Sequence, residues 1–283
     1  MIDIWQYEFF RYAVYGLLII SAVSAMIGTY IVSRRLVSIS GGITHACFGG
    51  LGLGYFLGIS PVFMAAVVAV AASAGVEWMS HRYRVREDSA IAVIWALGMA
   101  LGILFVFLTP GYVPELNTFL FGNVLTISVS DLSAFAIFAL VAALFFALRY
   151  KQIVACAFDA DFARVMHLPV RFINYTMTVL VAVCIVLTIR LVGIMLLMSL
   201  LALPQMIAET RYRRFGSVMF ASIAVSVACC MAGLFLSVAI DVPCSALIVL
   251  VMTALFFIVR IIAAVRRSLH RRHNKPRPQS VDL

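Results

Sequence analysis

The chain has 283 residues, of which 64% are hydrophobic and only 12% charged, with a mean hydropathy of +1.10. A water-soluble domain cannot bury that much apolar surface, so the bilayer is the solvent. The net charge of +9 would suit a nucleic-acid binder, but the basic residues sit at the ends of apolar runs, which speaks against that class and for membrane topology.

In hydrocarbon every backbone polar group must be paired internally, which leaves helices or closed barrels. The apolar stretches here are continuous runs of about 20 residues rather than alternating ten-residue segments, so the expected fold is an all-α polytopic membrane protein. Nine segments are read: 12–32, 36–60, 61–80, 89–109, 128–149, 172–190, 192–209, 216–239 and 243–265. The first follows Asp3 and Glu8 and lacks both a basic leader and a small-residue cleavage site, so a cleaved signal peptide is not expected. In the second, Gly42, Ala46, Gly50 and Gly54 recur every four residues, a spacing that lets another helix approach closely.

The stretch 111–127 is semi-apolar and fits a loop, an interfacial helix or a re-entrant segment, so eight to ten crossings are compatible with the sequence. Between the fifth and sixth segments, Asp159 can cap a short helix from Ala160 to His167, stopped by Pro169. Its Phe162, Val165 and Met166 form an apolar face, while Asp161 and Arg164 lie elsewhere. Such a helix either docks into a groove of a partner or lies on the membrane surface. Segments six and seven abut at Arg190–Val192, which requires a tight turn. Residues 1–265 form the expected transmembrane domain, and the basic stretch 266–283, with Pro276 and Pro278, is expected to be a disordered cytoplasmic tail in contact with anionic lipid.

Placing the N-terminus outside puts nineteen of the 21 Lys and Arg residues on the cytoplasmic side, with Arg11 and Arg190 as the exceptions. The positive-inside rule therefore predicts an external N-terminus and a cytoplasmic C-terminus. Six cysteines form no CxxC pair and mostly sit inside apolar runs, where they act as small hydrophobes. No phosphate-binding loop occurs, and the only lysines are Lys151 and Lys275, so ATP-driven work would need a separate subunit.

His45 lies inside the second segment, flanked at i−4 and i+4 by Gly41 and Gly49, which leave grooves above and below the ring. An ionisable residue within a span is costly and marks a functional site by default, and imidazole is a good ligand for transition metals. The alternative is a histidine that hydrogen-bonds a neighbouring helix and serves packing alone. Cys47 lies about 200° around the helix from His45 and is not expected as a co-ligand. Glu209, Asp241, Asn123 and Glu77 are the other polar candidates for a cation path, and each is also near enough to a membrane face to be solvated or capping.

Six blocks in order resemble one family, the permease subunits of the ATP-binding-cassette (ABC) importers for zinc, manganese and iron. They are GTYIVSRRLVSISGGITHA, REDSAIAV, FLFGNVLTISVSDL, FDADFARVMHLPV, RLVGIMLLMSLLALPQMIAE and DVPCSALIVL. The resemblance covers nearly the whole chain. It implies the large-type ABC importer permease fold in a bacterial inner membrane. It also implies a homodimer working with two cytoplasmic ATPase subunits and an extracytoplasmic metal-binding protein, with a divalent metal as cargo and no resident cofactor. His45 matches the family histidine on the metal path, and about 157–170, with Asp159, Phe162, Arg164, Val165 and Met166, matches the segment that couples to the ATPase. Four positions depart from the pattern. Gly41 stands where the family often has Asp, His167 stands at the glycine of the coupling segment, and Gln205–Met206 follow Pro204 where the family has two alanines. With Gly41, other ligands such as Glu209 or Asp241 are needed, or the site is one of transit only. An importer of the same fold for a metal chelate such as haem, a siderophore or cobalamin is the alternative function. An intramembrane enzyme would need a second catalytic motif at membrane depth, and neither HExxH nor paired aspartates occur.

Overall fold

A computed structural model of the chain describes residues 6–83, 86–110, 122, 124 and 127–273. Among the described residues there are nine helices and no strand: α1 (Glu8–Ser33), α2 (Val37–Leu57), α3 (Pro61–Tyr83), α4 (Glu87–Leu108), α5 (Val129–Phe158), α6 (Ala160–Val165), α7 (Val170–Ala208), α8 (Phe215–Ile240) and α9 (Cys244–His273). Eight segments are long and apolar enough to cross a membrane: α1, α3, α4, α5, the two halves of α7, α8 and α9. The remaining long helix, α2, has 21 residues and so a length of about 31 Å. Its glycines, serines, threonine and His45 dilute its hydropathy, but it is buried among α4, α3 and α7 and spans the bundle as they do.

α1, α2 and α7 are the most buried of the long helices, and α4, α5 and α9 lie at the periphery. One apolar cluster joins the later half of α1 to α2, α3, α5 and the first half of α7 through residues such as Ile27, Ile43, Ile153 and Ile185. A second joins the start of α1 to the second half of α7, the end of α8 and the start of α9 through Leu17, Leu196, Leu234 and Ile248. Each half of the membrane-spanning body thus has its own core, and α1 and α7 run through both.

The junction at Arg190–Val192 is the tight turn expected: within α7 two helices meet at Gly193, where φ is 74° and ψ 174°. Asn174 of the first half bonds Tyr30 of α1 and Gln205 of the second bonds Ala25 of α1, so the chain doubles back between them. Only glycine adopts that backbone without strain. Gly122 rests directly on this turn: a Cβ there would lie 2.3 Å from Gly193 N and 2.6 Å from Leu191 O. Further along α7, Pro204 has no N–H to give to the carbonyl of Leu200 four residues back. Gln205 Nε2 donates to that carbonyl at 3.4 Å and to Ala25 O at 3.0 Å, tying the kinked helix to α1. This gives the glutamine that replaces a family alanine a structural reason, and Gly28 of α1 packs flat against it.

Other boundaries differ from expectation for local reasons. Ser128 and Asp131 form a capping box that starts α5, which then runs to Phe158, well past the expected end near 149. The short helix closes at Val165 because Met166 and His167 form its C-terminal cap. The last helix continues to His273, so the first part of the stretch expected to be a disordered tail is helical.

Candidate functional site

The pairing of α2 with α4 sets the position of His45. Both helices carry glycines at four-residue spacing: Gly98 and Gly102 on α4, and Gly42, Gly50 and Gly54 on α2. A Cβ on Gly49 would lie 2.8 Å from Gly98 O, and one on Gly52 would lie 2.6 Å from Gly102 O, so the two backbones are in contact. The Gly42–Gly54 ridge is shared out: Gly42 meets Ile91 of α4, while Gly50 and Gly54 meet Ala65 and Pro61 of α3.

The grooves expected beside His45 are therefore filled. The imidazole, half-buried, stacks on the indole of Trp95 with ring centroids 4.5 Å apart and planes 7° from parallel. A stacked aromatic pair is worth about 0.5–1.5 kcal/mol beyond area burial, enough to fix the ring's orientation. One turn before His45, Gly41 faces Met198 of α7, whose Cε lies 3.0 Å from where a Cβ would be. Cys47 is buried, on the other side of α2 from the half-exposed His45.

The other candidates lie apart. Glu209 caps the end of α7 and lines a cavity of about 690 Å³ with Arg34, Arg35 and Arg213, beside the start of α6. Asp241 closes α8 at the opposite end, exposed and in the left-handed region with φ 58°. Glu77 is half-buried on α3, lining a small cavity with Tyr30 and Arg34. Asn123 lies outside the described residues. Among the described residues no three His, Cys, Asp or Glu side chains gather where they could hold an ion, so one chain does not bring Glu209 or Asp241 to His45.

At the basic end, Asp159 Oδ1 accepts from the N–H groups of Asp161 at 3.1 Å and Phe162 at 2.9 Å and starts α6. Arg164 pairs with Asp161. Ala163 turns into the core, and Phe162, Val165 and Met166 are 58%, 73% and 58% exposed. The apolar face of α6 is thus uncovered within one chain.

Residues 6–263 match the ABC 3 transport family. The chain belongs to that family. It is a permease, a multi-pass membrane protein of an ABC transporter. Relatives include a Synechocystis membrane protein, slr2045, of uncharacterised function, 34% identical over 91% of this chain and 92% of its own. The Chlamydia pneumoniae protein named "Probable metal transport system membrane protein" is 35% identical over 82% of this chain and 81% of its own. The manganese transport system membrane protein MntC of Listeria monocytogenes is 28% identical over 91% and 92%. Among solved structures, PsaBC from Streptococcus pneumoniae superposes with a TM-score of 0.82 at 24% identity, covering 95% of this chain and 97% of that one. An inward-facing metal-chelate type ABC transporter gives 0.73 at 15% identity, with 89% and 85% covered. These likenesses establish the large importer-permease fold.

Two residues of the His45 surroundings escaped the sequence reading. Gly98 and Gly102 carry the same four-residue spacing as α2 and would have marked α4 as its partner, and with it Trp95 three residues earlier. Met198 stands in a run of leucines and methionines and carries no local signal.

Proposed function

We propose that this permease conducts a divalent transition metal ion inward across a bacterial inner membrane, as a homodimer driven by two cytoplasmic ATPase subunits. An extracytoplasmic metal-binding protein delivers the ion to the outward-open dimer. ATP binding and hydrolysis move the segment Asp159–Pro169, whose Phe162, Val165 and Met166 dock on the motor, and the gate opens inward. The relatives named for metal and manganese transport support the cargo. The observation that carries the reading is an imidazole at membrane depth that is half-buried and held in place by Trp95.

A bare ion cannot cross hydrocarbon, since an unpaired charge there costs on the order of tens of kcal/mol by Born solvation. Its path must be lined by polar groups, and His45 is a nitrogen ligand suited to zinc, manganese or iron. Glu209, at the cavity rimmed by three arginines, and Asp241, at the far end, would then serve at the two mouths of the path, a role their separation from His45 supports. Asn123 is retained as a further path residue from its position in the matching motif.

The test is uptake of labelled zinc, manganese and iron by cells carrying the whole transporter. His45→Ala is expected to abolish uptake while the permease still co-purifies with its ATPase. Normal uptake by that variant would overturn the reading. It would instead favour chelate transport, which needs a wide cavity and no imidazole.

A further inference from the structure

We propose that Met198 is a second ligand on the ion's path, and that with His45 it forms a neutral nitrogen–sulfur site favouring zinc over manganese. This rests on the importer reading of His45 and adds to it a ligand from another helix. Gly41 precedes His45 by one turn on the same face of α2. A Cβ at Gly41 would lie 3.0 Å from Met198 Cε, 3.9 Å from Met198 Sδ and 3.6 Å from Trp95 Cζ3. The indole of Trp95 in turn stacks on His45 at 4.5 Å. The thioether of α7 therefore occupies the space into which an aspartate at position 41 would project, and the indole that stacks on His45 reaches the same space.

Met198 is not a sealed core residue. It is half-buried, and Met195, one turn before it on α7, is 46% exposed, so both thioethers lie on an open flank. Ser40 Oγ lies 3.7 Å from Met198 Sδ and donates to Val37 O at 2.7 Å. That contact seats the sulfur against α2.

The chemistry separates the ions. Manganese is a hard cation served by carboxylate and carbonyl oxygens, whereas zinc accepts imidazole and sulfur. Among the described residues no carboxylate pair joins His45 in one chain. Neutral ligands leave the ion its full charge, so binding is weak and reversible, as transit requires. Discrimination then comes from ligand softness.

The experiment measures zinc and manganese uptake, separately and in competition, by the whole transporter with one and the same binding protein and ATPase throughout. Met198→Leu conserves volume. It is expected to lower zinc uptake at limiting concentration by about tenfold or more, the range in which supporting groups alone change metal affinity. Manganese uptake should change little, so the zinc preference collapses. Gly41→Asp combined with Met198→Ala, which makes room for the carboxylate, should move the preference toward manganese. Unchanged zinc uptake and competition in Met198→Leu, with His45→Ala inactive, would refute the ligand assignment and leave the importer reading standing. An equal loss of both ions would assign Met198 a structural role and also refute it. Normal uptake by His45→Ala would remove the importer reading itself.

Discussion

Among the described residues three that are not glycine, Arg35, His167 and Asp241, have positive φ, and each closes a helix. At the end of α6, Leu168 N donates to Ala163 O and His167 N to Arg164 O, both at 3.0 Å. That pair of bonds is a Schellman cap, whose left-handed position ordinarily belongs to glycine. A side chain there costs roughly 1–2 kcal/mol. His167→Gly should therefore raise stability by about 1 kcal/mol, read as a rise of a few degrees in the midpoint of thermal unfolding in detergent. A fall would mean that the imidazole makes a stabilising contact that outweighs the backbone strain. At this scale the sequence was informative where the cause is local, as with the cap at Asp159. It was silent about Trp95 and Met198, because contacts between residues 50 to 158 positions apart place Trp95 on His45 and Met198 on Ser40 and Gly41. Periodicity reports which face of a helix is apolar, not which neighbour covers it.

At the scale of elements, the apolar runs were legible as crossings because hydrocarbon allows few alternatives. Their ends were not, since α5 and α9 run on past the apolar stretch, where capping and chain connection decide. The turn within α7 depends on a single backbone conformation at Gly193, supported by Gly122 from another part of the chain. The element most open to test is α6. Its core contact is Ala163, fully buried, while Phe162 and Met166 are exposed. Removing the exposed pair should spare the fold and cost a docking surface, since hot spots in interfaces are large apolar side chains. The double variant Phe162→Ala, Met166→Ala is expected to reach the membrane in normal amounts and to lose at least about tenfold in ATPase association, corresponding to about 1.4 kcal/mol. Co-purification of the ATPase at the normal ratio would assign the face to the lipid surface instead.

At the scale of the whole molecule, the fold brings distant basic residues to one end. Arg34 and Arg35 follow α1, Arg213 follows α7, and all three border one cavity next to α6. Asp241 and Val242 close α8 at the other end. The charge asymmetry read along the sequence is thus a property of the assembled body, and each basic residue near an anionic leaflet adds about 1 kcal/mol toward keeping it there. The expected orientation puts the basic end in the cytoplasm, where an ATPase can meet Phe162 and Met166. Chemical labelling can decide it. Five of the six cysteines are buried, and Cys244, beside the α8 cap, is partly exposed. In a Cys244→Ser background, Val242→Cys should react with a membrane-impermeant thiol reagent on intact cells. Arg213→Cys should react only after permeabilisation. The reverse pattern would turn the molecule over, place α6 away from ATP, and remove the physical route by which a motor could drive the ion past His45.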